Sequence, residues 1–329
     1  MKINFKALKK NKKIQVSSLT AIFCLLLIVG LSFYSGIMYL KNKNANLNSI
    51  SGTTLELVKS NKPTLEFYMM SFCPYGNQME SILRPVFDLI GDKVNLQPRY
   101  IFDEFTDLEN TCKNLTGDIE MCPQYVEMKY VSSIKECEQI INKNYQDCVD
   151  ENNYIKSSDG KFYSALHGRQ EATQNLREIC AWNVTEDKSK WWNFIENINV
   201  NCNYENADSC WEDQAKAANL DIQAINNCFN NDGIKLIQEE IALTTKNNIQ
   251  GSPTLMLNDV LFPSQEAYKE DGSGAILLGK KIIKQADYRT PNGIKEAICY
   301  AFKKAPKECS TIIEQDPNVQ GAATNGGCQ

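Results

Sequence analysis

No Cys-x-x-Cys occurs in the 329 residues, and the chain has a single histidine, His167. The first absence argues against structural zinc, because closely spaced thiolates usually begin such a site. The second leaves any cysteine–histidine nucleophile pair with one candidate. Beside Gly168, His167 reads as a turn residue in preference to a catalytic base. A glycine-rich phosphate loop, a metal-ligand cluster, a Ser-His-Asp ordering and an internal repeat are all missing, so neither metal nor cofactor is expected. Acidic residues are absent before residue 41, and basic blocks are absent after residue 13. Setting aside the six leading lysines leaves 29 basic residues against 40 acidic, about 11 units of negative charge. Nucleic acid is therefore disfavoured as a partner, since phosphate binding needs a basic face.

What is present is a globular composition, 43% hydrophobic and 23% charged, long enough for one large domain or two small ones. Of thirteen cysteines, twelve follow residue 70, which points to an oxidising compartment. The closest pairs, Cys202/Cys210, Cys112/Cys122, Cys299/Cys309 and Cys137/Cys148, are spaced for loop-closing disulfides.

The N-terminus carries Lys2, Lys6, Lys9, Lys10, Lys12 and Lys13, then an uncharged apolar run from Leu19 to Leu40. As a helix this run spans about 33 Å, enough to cross a bilayer and longer than the core of a cleavable signal. It reads as an uncleaved signal-anchor, with the lysine excess placing the N-terminus inside and the rest outside. Cys24 within it counts as a small apolar residue, with lipidation a weaker alternative. The resulting plan is a cytoplasmic basic segment 1–18, a transmembrane helix 19–40 and a polar linker 41–62. The folded part divides into 63–104, an insertion 105–247, and 248–310, with a flexible tail 311–329.

The chemistry is concentrated in Met69-Met70-Ser71-Phe72-Cys73-Pro74-Tyr75-Gly76-Asn77-Gln78. A strand-like run, Leu65–Met70, precedes Cys73, and a helix-like run, about Gln78–Leu89, follows it. Cys73 is thus predicted at a helix N-terminus, where unpaired N–H groups and the helix dipole lower a thiol pKa from about 8.5 to roughly 3.5–7.5. Pro74 suits the first turn. The alternative is a buried structural cysteine in a βα turn; the flanking elements and a later Gly251-Ser252-Pro253-Thr254 favour a reactive thiol.

After a turn at Gly91-Asp92-Lys93, a second strand is predicted from Val94 to Phe102, completing a βαβ unit. Between about Phe105 and Lys246 the periodicity turns helical and eight cysteines crowd in, so a helical insertion held by disulfides is expected. Its helices are predicted at Glu127–Asn144, Arg169–Trp182, Lys190–Asn197, Glu212–Ala218 and Asp221–Thr244, the last capped by Asp221 and open to a break at Gly233. Trp182, Trp191, Trp192 and Trp211 read as core. Strands return within Ile249–Asp259, which reads as a turn into an apolar strand ending in an Asn-Asp turn, with Val260–Phe262 as hairpin partner. Thr290 and Pro291 open a final helix, Ile294–Lys303, whose end Cys299 and Cys309 close. The Gly/Asn/Ala-rich tail from Gln315 carries Cys328. Asn114-Leu115-Thr116 and Asn183-Val184-Thr185 fit glycosylation acceptors in a eukaryotic secretory route.

This order of elements around Cys73-Pro74-Tyr75-Gly76 and Gly251-Ser252-Pro253-Thr254 resembles the thioredoxin fold with a DsbA-type helical insertion. The middle of the chain is also similar to interferon-inducible lysosomal thiol reductases and plant vacuolar sorting receptors. The shared features are His167-Gly168, Gln174 to Cys180, Trp191-Trp192-Asn193-Phe194, the Cys202/Cys210 pair and Ala297-Ile298-Cys299. The resemblance covers about residues 63–310 and implies an α/β thioredoxin-like fold with a large disulfide-rich helical insertion, preceded by one transmembrane helix. It implies Cys73 as the catalytic residue, a cis Pro253 against it, and Pro74, Tyr75, Ser252, Pro253 and Thr254 as the substrate-binding ledge.

One departure is decisive for mechanism: the family commonly has a second cysteine where this chain has Gly76. A monothiol exchange cycle is then expected, with Cys73 attacking a disulfide of an extracytoplasmic partner and an outside or distant thiol resolving the adduct. Cys328 and the cysteines of the insertion are conceivable resolvers, though Cys328 reads first as an exposed or intermolecularly paired thiol. The alternative function is a non-catalytic, receptor-like binding module that kept the peptide groove.

Overall fold

The computed structural model describes residues 52–314 and residue 328. The predicted transmembrane segment 19–40, with Cys24, and most of the tail lie outside these residues; among the described residues no helix is long and apolar enough to cross a membrane. Part of the stretch predicted as linker is structured. Strand β1, Thr53–Thr54, pairs with a later strand, and Leu55 is buried in the core.

Strand β2, Thr64–Met69, is buried from its second residue to its end, as befits a strand covered on both faces. It leads into helix α1, Pro74–Ile90, which starts four residues before the predicted Gln78 because Pro74 in the first turn forfeits no helical hydrogen bond. Strand β3, Asn95–Tyr100, lies parallel to β2 in the register Thr64↔Asn95 to Met69↔Tyr100. The insertion begins with β4, Asp103–Phe105, and helices α2, Leu108–Leu115, α3, Cys122–Glu127, and α4, Ile134–Val149. The predicted single helix over Glu127–Asn144 is thus interrupted, because Ser133 caps α4 by accepting from Glu136 N at 3.2 Å. Two short strands, β5, Ile155–Lys156, and β6, Phe162–Ser164, join β4 in an antiparallel sheet, a feature the helical periodicity had masked.

Four longer helices follow: α5, Arg169–Val184, α6, Lys188–Asn201, α7, Ala207–Ala217, and α8, Ile222–Lys246. Asp221 caps α8, accepting from Ala224 N at 3.0 Å. Gly233 does not break this helix. Its bare Cα lets α5 come close; a Cβ there would meet Leu176 Cδ2 at 2.8 Å. Trp191 and Trp192 on α6 are wholly buried against Phe67 of β2, with Trp192 stacked on Phe67 at a centroid distance of 5.9 Å, so the insertion shares one core with the sheet.

The chain then returns to the sheet through β7, Thr254–Leu257, and β8, Val260–Phe262. Asn258 and Asp259 both take positive φ, 47° and 63°, as the tight hairpin between them requires. Strands β9, Ala275–Leu278, and β10, Lys281–Lys284, form a third sheet with β1, unforeseen from the sequence. Helix α9, Pro291–Ala301, opens with Thr290 accepting from Gly293 N at 3.0 Å. The main sheet has the order β3–β2–β7–β8, with β7 antiparallel to β2. A βαβ unit and a ββα unit thus meet at β2 and β7, the helical insertion between them, which is the thioredoxin-like arrangement.

The twelve cysteines after residue 70 form six disulfides. Cys202–Cys210 and Cys299–Cys309 pair as their spacing suggests. The expected pairs Cys112/Cys122 and Cys137/Cys148 do not form. The bonds are Cys112–Cys148 and Cys122–Cys137, nested, because α4 folds back along α2 and α3 and sets one bond near each of its ends. Cys180–Cys228 ties α5 to α8.

Candidate functional site

Cys73 is the N-cap residue of α1, with extended backbone (φ −73°, ψ 116°), so its side chain leaves the sheet where the helix begins. The loop before it is held from two sides. On one side Met70 N donates to Ser252 Oγ at 3.2 Å. On the other, α5 supplies two buried acceptors: Asn175 Oδ1 takes Ser71 N and Ser71 Oγ at 2.9 and 2.7 Å, and Glu171 Oε1 takes Phe72 N at 3.0 Å. Glu171 also accepts from His167 N and contacts His167 Nδ1, each at 2.9 Å. His167, stacked on Tyr204, therefore serves the turn into α5 and reaches the loop only through Glu171.

Facing Cys73 is the loop Gly251–Thr254, where the Ser252–Pro253 peptide is cis. Cys73 Sγ lies 3.5 Å from the Ser252 carbonyl oxygen. Gly76 is the reason this loop fits: a Cβ at position 76 would come 2.8 Å from Ser252 Oγ. The seryl hydroxyl thus fills the space that a side chain on α1 would claim.

Cys73 is not a free thiol. It is bonded to Cys328, with their Cα atoms 6.0 Å apart. Cys328 joins the loop as an extra strand residue: its N–H donates to the Ser252 carbonyl and its carbonyl accepts from Ser252 N, both at 2.8 Å. Of the predicted site residues, Cys73 and Ser252 are buried, Pro253 and Thr254 are half-buried, and Pro74 is exposed. A 460 Å³ cavity brings Pro253 and Thr254 together with Met79, Tyr268, Tyr288 and Cys328; Pro74 and Tyr75 stand outside its lining.

Beneath the loop two carboxyl groups face the interior. Burial pushes Glu178 up to about 7, and burial followed by repulsion from Glu178 holds Glu80 well above the carboxylate range. Glu178 accepts from Gln174 Nε2 at 2.9 Å, and Glu80 accepts from Asn199 Nδ2 at 2.5 Å. Glu80, Glu171 and Asn199 escaped sequence reasoning, and Gln174, Asn175 and Glu178 entered it only as part of the family resemblance, because acids and amides on a helix read as a solvated face. For Cys328 the sequence offered its place in the tail and the even number of cysteines after residue 70, neither of which names Cys73 as its partner. Among the described residues, no group of three or more His, Cys, Asp or Glu side chains is placed to hold a metal ion.

The family model of the vacuolar sorting receptor thioredoxin-like domain matches residues 88–269. That stretch contains the Ser252–Pro253 loop and begins after Cys73. Vacuolar-sorting receptor 5 of Arabidopsis thaliana is 19% identical over 213 residues, 60% of this chain and 31% of that one. Vacuolar-sorting receptor 4 of the same plant is 23% identical over 195 residues, 55% of this chain and 28% of its own length. The chain thus spans about three-tenths of the length of these relatives. Among solved structures, reduced DsbA from Mycobacterium tuberculosis aligns over 78% of this chain and 94% of that one, at 12% identity and a TM-score of 0.39.

Proposed function

Since the chain belongs to the family of the vacuolar sorting receptor thioredoxin-like domain, we propose that it is a membrane-anchored, extracytoplasmic member of that fold that exchanges disulfides through Cys73. The observation that carries this is the seat of Cys73: a cysteine heading α1, 3.5 Å from the Ser252 carbonyl oxygen and beside Pro253, in a loop that accepts an added strand. Once reduced, its sulfur is stabilised as a thiolate by the helix N-terminus. It attacks one sulfur of a partner's disulfide, forming a mixed disulfide and releasing the partner's other sulfur as thiolate. A second thiol then attacks the mixed disulfide and frees Cys73. The partner lies extended along Ser252–Thr254, its backbone taking the two hydrogen bonds that Ser252 offers. Its class is cysteine-containing or disulfide-bonded extracytoplasmic protein. The 19–40 segment serves as the anchor, residues 1–18 stay in the cytoplasm, and the six bridges suit an oxidising lumen, periplasm or cell surface.

A second reading, a receptor-like module that binds protein segments without turnover, is favoured by the family match, which covers the Ser252–Pro253 loop and leaves Cys73 out. Alkylation of the mildly reduced protein at graded pH separates the two. Exchange chemistry expects Cys73 to be modified well below pH 8, and Cys73→Ser to lose its disulfide-linked adducts with other envelope proteins. A thiol that resists until above its ordinary pKa, with partner capture intact in Cys73→Ser, leaves groove binding as the function.

A further inference from the structure

The two sulfurs of the Cys73–Cys328 bond are unequal. Cys73 is completely buried, whereas Cys328 is half-buried and lines the 460 Å³ cavity. Cys328 is also held as a substrate strand would be, by the paired 2.8 Å hydrogen bonds with Ser252. The position that a foreign segment would take is therefore filled by the chain itself, through a bond to the nucleophile.

We propose that Cys328 is the sulfur at which this resting bond is opened, an inference that rests on the exchange role of Cys73 given above. Access and leaving-group quality both select it. Cys328 is half-buried and lines the cavity through which a thiolate approaches, whereas Cys73 has no exposed surface. The bond also breaks most readily toward the better leaving thiolate, which is the one at a helix N-terminus. In the first step a thiolate of the glutathione class bonds to Cys328 Sγ. The Cys73–Cys328 bond breaks, and its electron pair departs on Cys73 as thiolate. In the second step another thiolate of the same class attacks the sulfur carried on Cys328. This forms the small-molecule disulfide and leaves Cys328 reduced. Two external thiols are oxidised and one protein disulfide is reduced, so electrons balance.

Cys73 is then ionised and uncovered, ready for a partner's disulfide. After release Cys328 remains covalently joined to the described fold through the thirteen residues that follow Glu314. Such tethers give effective concentrations on the order of millimolar, enough to return and displace a bound partner from Cys73. Cys328 is thus both the opening point and the resolving thiol of the cycle, in place of the cysteine missing at Gly76.

The test uses the full-length protein in detergent, treated with limiting reduced glutathione, quenched in acid, alkylated and mapped by peptide mass. Glutathione is expected on Cys328 and the alkyl group on Cys73, with the Cys328 adduct exceeding the Cys73 adduct by about tenfold. Glutathione on Cys73 with Cys328 alkylated overturns the assignment, as does alkylation of Cys73 in the untreated protein. In Cys328→Ser, Cys73 is expected to alkylate without reductant and to form a mixed disulfide with oxidised glutathione. If Cys73 of that variant ignores oxidised glutathione while wild type still carries glutathione on Cys328, the exchange role fails and the choice of sulfur stands.

Discussion

At the scale of single residues, Gly76 and Glu178 govern how the site behaves. An ideal Cβ at position 76 lies 3.6 Å from Cys73 Cβ, inside the separation of about 3.5–4.5 Å that a disulfide needs. Gly76→Cys should therefore capture Cys73 locally, once the Ser252 hydroxyl rotates away, and liberate Cys328. A non-reducing peptide map would show the bond within one tryptic peptide; persistence of the link to Cys328 would contradict this. Glu178 sets a pH dependence. Its carboxyl is raised from 4.5 to about 7, so the fold holds the neutral form. The stability this gives is complete below about pH 4.5 and is lost as pH rises through about 7. Glu178→Gln keeps the acceptor for Gln174 and removes the ionisation. It should stabilise the protein at pH 8 by about 1–3 kcal/mol and much less at pH 5. Thermal unfolding at the two pH values reads the difference, and an equal shift at both would refute the assignment.

At the scale of elements, α5 is the strut of the site, because Asn175 answers Ser71 on one side and donates to the Ile101 carbonyl at 3.2 Å on the other. Asn175→Ala leaves these buried groups without partners and should cost about 2–4 kcal/mol, read from the denaturant midpoint with unchanged slope. What could be foreseen at this scale follows from what is local. Asp221 and Thr290 cap helices by bonds three residues away, so their chemistry is written within one turn. The strand, Cys73 and helix sequence was legible for the same reason. The gap between α3 and α4 was missed because Ser132-Ser133 interrupts an otherwise continuous helical pattern by a single cap. Propensity alone lets Gly233 break α8, while its packing against Leu176 keeps the helix whole. Strands of two to four residues such as β1, β9 and β10 are too short to show a period.

At the scale of the molecule, the disulfides differ in what they hold. Cys180–Cys228 closes 48 residues and joins two core helices, whereas Cys202–Cys210 closes eight. Loop entropy makes the larger loop worth about 1.5 kcal/mol more, so the Ala/Ala replacement of Cys180 and Cys228 should lower stability further than that of Cys202 and Cys210. Equal losses in chemical denaturation would mean that strain or unfolded-state structure dominates. The connectivity itself could not be seen beforehand, because Cys112–Cys148 depends on the direction of α4 and Cys73–Cys328 on contacts 255 residues apart. That last span has a consequence for biosynthesis. The other five bonds join residues 8 to 48 apart and can close behind the growing chain as it leaves the ribosome. Cys73, first of the twelve to emerge, must wait for the last, so every nascent chain halted short of residue 328 carries it bare.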